Sequence, residues 1–304
     1  MNHYHRISLL LLESAALLSA SVIFASPLPQ NAKSPCTVNL NLKNPNSELL
    51  KKESRLGQQL AKEVERASRI VDDLPTTQYL NRLAQNLVRD SDVPFPITVK
   101  IIDSAAKNEL ILPSGFLYID DGLILQAETE SELIGVLAYG VGYSALRCGT
   151  EQATLGQFTL VGSIPAMILE PYGWAGYGMY EGMNLAIPLT YLREQRALVL
   201  AADRLGLKYV YETGYDPIES VRLLERISLQ DALVKNAQNA FSPFPPLTLR
   251  LDCMRKEIAK VFPSRDEAII SSSEFEKTRE RLTSRKLTDS QPVLRPTLRK
   301  LKDP

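Results

Sequence analysis

Along the chain, stretches whose apolar residues recur every three or four positions alternate with short stretches of strict apolar–polar alternation. This is the pattern of helices packed around a small sheet. From Ser47, the residues Leu49, Leu56, Leu60, Val64, Ala67 and Val71 recur at helical spacing among lysines, arginines and glutamates. An amphipathic helix is expected there, with Pro75 as its stop. Leu80, Leu83 and Leu87 predict a second, shorter helix. Ile97, Val99 and Ile101 alternate with Thr98 and Lys100, which predicts a half-buried strand. Two more strands are expected over 109–112 and 116–119, joined by a turn at Pro113, Ser114 and Gly115.

The residues from Thr129 to Glu132 read T-x-x-E, a capping box, directly before the apolar run 133–146. A helix over about 130–147 follows, ended at Gly149. Further helices are expected over 191–207 and 218–229. The mostly apolar run 158–169 is broken by Gly162 and Pro165, is too short to span a bilayer, and reads as buried core. Residues 285–304 hold six basic and two acidic side chains with two internal prolines, which reads as a solvated, disordered basic tail. Contact of that tail with a membrane surface is the peripheral role such a composition allows. The expected fold class is α+β and mainly helical, a small sheet packed against the 130–147 helix.

Composition narrows the classes of function. Hydrophobic residues at 44% and charged residues at 23% of 304 are ordinary globular values. The 35 basic and 35 acidic side chains cancel, so no global charge draws the chain to nucleic acid. The N-terminus resembles an export signal. Arg6 precedes the apolar run 7–12, Glu13 interrupts, small apolar residues fill 14–25, and Pro27 and Pro29 follow. Cleavage after Ala25 is expected, which gives a signal peptide over 1–25, a linker over 26–46 and a domain over 47–284. An uncleaved anchor is the alternative, although 20 residues with a glutamate inside barely reach across a bilayer. Either way the expected location is the exported side, the periplasm. The only histidines are His3 and His5, so removing the signal leaves no imidazole. Cys36, Cys148 and Cys253 allow one disulfide in an oxidising compartment, and their spacing leaves the pairing open.

The helix after the capping box continues Gly135-Val136-Leu137-Ala138-Tyr139-Gly140-Val141-Gly142-Tyr143 and ends Arg147-Cys148-Gly149-Thr150. This phrase resembles the zinc helix of the gluzincin metallopeptidase family that includes HtpX, the CAAX prenyl protease and BepA. There the phrase reads V-x-A-H-E-x-x-H-x-x-x-R-H-G-T. The likeness extends over roughly 49–282. It takes in Ile70-Val71-Asp72-Asp73, the N-x-x-x-x-P-x-G turn from Asn108 to Gly115, Ala202-Asp203-Arg204-Leu205-Gly206, and Thr213-Gly214-Tyr215-Asp216-Pro217. The resemblance implies a zinc endopeptidase domain whose substrates lie extended along a sheet edge, here Asn108, Leu110, Ile111, Leu112, Pro113 and Gly115.

In HExxH, histidines at i and i+4 grip Zn²⁺ from one helix face, and the glutamate at i+1 takes a proton from the metal-bound water. The resemblance places the two histidine positions at Tyr139 and Tyr143 and the general base at Gly140. It places the third ligand at Val199, four residues before Asp203, and the late histidine at Phe244. None of these side chains is a ligand or base of the family type, so zinc is expected of the family and not of this chain. Serine and cysteine triads lack their histidine as well. The expectation is a pseudopeptidase without cofactor, catalytic residue or metal site. It would serve as a binding or scaffolding module, chaperone-like or regulatory, for unfolded or outer-membrane protein segments. The alternatives are a metalloendopeptidase using Cys148 and carboxylates, and an envelope-attached structural protein. A plug of Tyr139, Tyr143 and Val199 in the old site is a further expectation.

Overall fold

The computed structural model describes residues 36, 47–89, 91–105, 107–147, 189–230, 245–263 and 265–290. The chain divides into two compact units, Met1–Thr37 and Val38–Pro304. Of the N-terminal unit only Cys36 is described, and it is disulfide-bonded, as is Cys253 in the larger unit. The run 158–169, Cys148 and Phe244 lie outside the described residues, as do the signal-like segment and the chain beyond 290.

Among the described residues the larger unit contains α1 (Ser47–Ala67), α2 (Leu74–Arg89), β1 (Thr98–Ile102), β2 (Glu109–Leu112), a 3₁₀ turn (Pro113–Gly115) and β3 (Phe116–Asp120). There follow α3 (Asp121–Gln126), α4 (Glu130–Ala145), α5 (Leu189–Glu212), α6 (Pro217–Gln230), α7 (Leu247–Val261) and α8 (Ser273–Ser290). The architecture is mainly helical around a three-stranded sheet, as the periodicity predicts. No helix among the described residues is long and apolar enough to cross a membrane.

The strand order is β1-β3-β2, with β3 parallel to β1 and antiparallel to β2. Period-2 alternation sends the two faces to different partners. Val99, Ile101, Ile111, Leu117 and Ile119 join the main core with α2 and α4, whereas Leu110, Leu112 and Tyr118 pack on Leu60 and Val64 of α1. The outer edge of β1 is covered. Asn81 donates to the Val99 carbonyl and accepts from the Val99 amide, both at 2.9 Å, and Gln85 donates to the Ile97 carbonyl at 2.7 Å. The Val71 amide donates to the Ile101 carbonyl at 2.9 Å. On the outer side of β2 no strand pairs among the described residues.

Helix α4 is the hub. Thr129 caps it by accepting from the Glu132 amide at 3.2 Å, as the T-x-x-E pattern predicts. Its first-turn Glu130 is buried and collects hydroxyls from three parts of the fold. Tyr79 donates at 2.7 Å and Tyr215 at 2.5 Å, and Ser272 donates as well. Arg226 of α6 clamps Glu132 and donates to the Gln126 carbonyl at 2.8 Å. At the far end, Arg147 donates twice to the buried Glu53 of α1, at 2.8 and 2.6 Å. Along its length α4 lies close against α5, because Gly142 leaves room for the α5 backbone. A Cβ at 142 would stand 2.5 Å from the Ala202 carbonyl oxygen, and one at Gly206 would stand 3.0 Å from Ala138 backbone atoms.

Three sequence expectations change. The first helix ends at Ala67 instead of running to Pro75, which opens α2 from a first-turn position where its missing N–H costs nothing. The C-terminal tail does not begin at 285, because α8 runs to Ser290. Arg285 bonds Asp103 and Asp121 at 3.0 and 2.6 Å, and Lys286 bonds Asp121 at 2.8 Å, which holds that stretch on α3. Helices over 121–126, 247–261 and 273–290 are additions to those expected from the sequence.

Gly142→Ala tests the α4–α5 contact. Alanine favours the helix by about 1 kcal/mol, but the contact with a backbone oxygen forces the helices apart at roughly 1–3 kcal/mol. A lower urea midpoint than wild type is expected, and a raised midpoint would show that the helices separate freely.

Candidate functional site

The positions that resemble the zinc site fall on the middle of α4. Tyr139 and Tyr143 share a face at i and i+4, with ring centroids 5.9 Å apart and planes at 46°. Tyr143 is buried and Tyr139 half-buried. Val199, on α5, is also buried, but among the described residues it does not join the cluster that holds Tyr143. The structure thus brings the two tyrosines together. What meets the tyrosines instead is charge.

Arg250, on α7, lies over the Tyr139 ring with its guanidinium carbon 5.0 Å from the centroid, a cation–π arrangement. The same guanidinium makes a bidentate pair with Asp203 of α5, at 2.8 and 2.6 Å. Asp203 is buried. Burial works against the charge on Arg250, yet Asp203 holds its pKa above the ordinary value. Neither Arg250 nor the helix that carries it is among the sequence expectations. Leu247, Leu251, Met254 and Ile258, at i, i+4, i+7 and i+11, are the signal that could have found that helix.

The second group is Glu109, which opens the expected edge strand β2 on the face that looks toward α4. A Cβ at Gly140 would stand 2.5 Å from Glu109 Oε1 and 3.0 Å from Leu117. The edge-strand carboxyl therefore occupies the space into which a side chain at 140 would project. Its Oε1 is buried with no hydrogen-bond partner among the described residues. Burial pushes the Glu109 carboxyl well above the usual carboxylate range, with Arg250 acting to lower it and Asp203 to raise it.

The donor set at these positions does not fit a zinc ion. The phenols of Tyr139 and Tyr143 are poor ligands while protonated, Gly140 and Val199 offer no donor, and a fixed guanidinium sits on the ring of Tyr139. Among the described residues no three His, Cys, Asp or Glu side chains group as a metal site.

The edge residues form one continuous feature. Asn108 is tied to the end of β3: its carbonyl accepts from the Asp120 amide and its own amide donates to Asp120 Oδ2, both at 3.0 Å. Burial raises the Asp120 carboxyl to about 6. Because Asn108 faces Asp120 as a bonded pair, antiparallel alternation makes Leu110 and Leu112 the next bonded positions. The peptide groups of Glu109 and Ile111 consequently point to the edge that no strand among the described residues covers. Pro113 is buried beside α1, and Gly115 closes the turn at φ 80°, a left-handed conformation.

Glu109 makes stability depend on pH. Its folded pKa lies above the ordinary 4.5, so its neutral form is favoured in the fold and its contribution is lost as pH rises from 4.5 toward the folded value. Glu109→Gln should gain stability over wild type between pH 4 and pH 8 in urea titrations. A constant difference across that range would mean that the carboxyl ionises freely.

Comparison with known proteins bears on the whole of this arrangement. The chain is 24% identical over 222 residues to a beta-barrel assembly-enhancing protease of Yersinia pestis, covering 69% of this chain and 45% of that protein. With the protein of the same description from Escherichia coli K12 it shares 24% over 189 residues, 58% of this chain and 37% of the relative. With the mitochondrial metalloendopeptidase OMA1 of Schizosaccharomyces pombe it shares 23% over 203 residues, 66% of this chain and 59% of the relative. The chain thus spans about half or less of the length of the bacterial relatives it matches. The sequence profile of peptidase family M48 matches residues 75–258, from the first turn of α2 into α7, and on that match the chain belongs to peptidase family M48.

Proposed function

We propose that this protein is a non-catalytic member of its family, a pseudopeptidase that works as a peptide-binding or scaffolding module in the bacterial envelope. The observation that carries the reading is the asymmetry of the sheet. The outer edge of β1 is closed by Asn81, Gln85 and Val71, while β2 presents the peptide groups of Glu109 and Ile111 outward. An extended segment added there gains main-chain hydrogen bonds without any metal. At the positions that resemble the metal site, aromatic rings, a glycine and the Arg250–Asp203 pair stand in place of imidazoles and carboxylates. Water activation needs a metal or a free base in that place, whereas Asp203 is tied by two hydrogen bonds to Arg250 and burial favours the neutral form of the Glu109 carboxyl.

The exported location rests on the signal-like N-terminus and on Cys36 and Cys253, whose disulfide state suits an oxidising compartment. The description of the bacterial relatives, beta-barrel assembly enhancement, supports unfolded outer-membrane protein segments as the chains that bind.

Two measurements test the reading. Elemental analysis of the purified protein should find no stoichiometric zinc, and one tightly held zinc per chain with chelator-sensitive proteolysis would restore the enzyme. Ile111→Pro removes an outward amide that makes no bond within the sheet. It should abolish capture of extended peptides, whereas Ile111→Ala, which empties the same core site and keeps the amide, should retain it. Equal capture by both variants would end the strand-addition reading.

A further inference from the structure

Beside Tyr139 a cavity of about 240 Å³ opens between the start of β2, α4, α6 and α7. Most of its wall is apolar, with Leu123, Val136, Leu223, Leu224 and Ile227 among the lining side chains. It is larger than the roughly 150 Å³ void that accepts a benzene molecule, so a five-carbon chain fits. Among the described residues, two buried polar atoms of lining residues have no hydrogen-bond partner, Glu109 Oε1 and Ser220 Oγ. A buried carboxyl without a partner is costly to the fold, and a carboxyl lining a cavity has somewhere to find one.

The charges around it say which partner. Asp203 and Arg250 also line the cavity, but they satisfy each other through two hydrogen bonds and are neutral as a pair. Lys107 lines the cavity too, and among the described residues no hydrogen bond reaches Glu109 Oε1. Glu109 is therefore the carboxyl of the wall left to a guest, and a bound cation would draw it into its ionised form against the burial that favours the neutral one. A divalent cation would need several oxygen ligands at once, which a single carboxylate does not provide. An ammonium needs one acceptor and carries its own alkyl stem into the apolar wall.

We propose that this cavity is a binding site for a primary alkylammonium group, its nitrogen donating to Glu109 and its carbon stem lying along Val136, Leu223 and Leu224. The group is either a free amine or a lysine side chain of a bound polypeptide. The site stands independently of strand addition, although the two meet at Glu109. That residue turns its peptide group to the open edge and its carboxyl to the cavity.

Calorimetric titration of the full chain at pH 7 with n-pentylamine should give saturable 1:1 binding. 1-Pentanol, which keeps the stem and loses the charge, should bind at least tenfold more weakly. Glu109→Gln should weaken pentylamine binding at least tenfold while its melting temperature stays at or above that of wild type. No binding of pentylamine would overturn the site, as would equal affinity for pentanol or unchanged affinity in Glu109→Gln. A lysine peptide and its norleucine analogue separate the sources. Preference for lysine that disappears in Ile111→Pro assigns the ammonium to a chain on the β2 edge. Pentylamine binding that persists without any preference for lysine assigns it to a free amine and upholds the site.

Discussion

The structure depends on how closely α4 approaches α5. Gly142 and Gly206 replace two side chains with bare backbone at the crossing, and Ala138 and Ala202 keep the neighbouring positions small. Helix axes that close gain dispersion contacts along their whole length, which offsets what glycines cost a helix interior. Everything else is hung from α4 once its position is set. Glu130 gathers Tyr79, Tyr215 and Ser272 at one end, and Arg147 reaches Glu53 at the other. The sheet rests on its middle through Ile111 and Leu117.

In the middle of that helix the chemistry is organised by one paired cation. Arg250 comes from α7, its counter-ion Asp203 from α5, and the ring it covers from α4. The pair thus joins three helices beside the positions that resemble the zinc site. Buried ion pairs contribute little net stability, because desolvation offsets attraction, but losing one partner strands the other. Their value lies in fixing which helix faces meet.

The secondary structure is largely legible in the sequence because its signals are local. Alternation at Ile97, Val99 and Ile101 and the cap at Thr129 both name elements that the structure contains. Pro75 misleads because proline is a stop inside a helix and a start at its first turn. Helix α8 buries few apolar residues, Phe275 and Leu282 among them, so its periodicity is faint. The position of the candidate site is legible through the family phrase, but its contents are not. Arg250 and Glu109, 141 positions apart, meet the site only through packing, and no spacing along the chain announces such a meeting.

The shortness of the β2 edge sets a time scale. Four residues bounded by the Asn108–Asp120 clamp and by Pro113 turn only two peptide units outward, which is room for about four main-chain hydrogen bonds. At roughly 1 kcal/mol each, they reach about 4 kcal/mol, the equivalent of a millimolar dissociation constant before any ordering of the guest is counted. A chain held by this edge alone would leave in well under a second. On the strand-addition proposal, segments would exchange at this edge in quick succession, and lasting residence would require a second point of attachment.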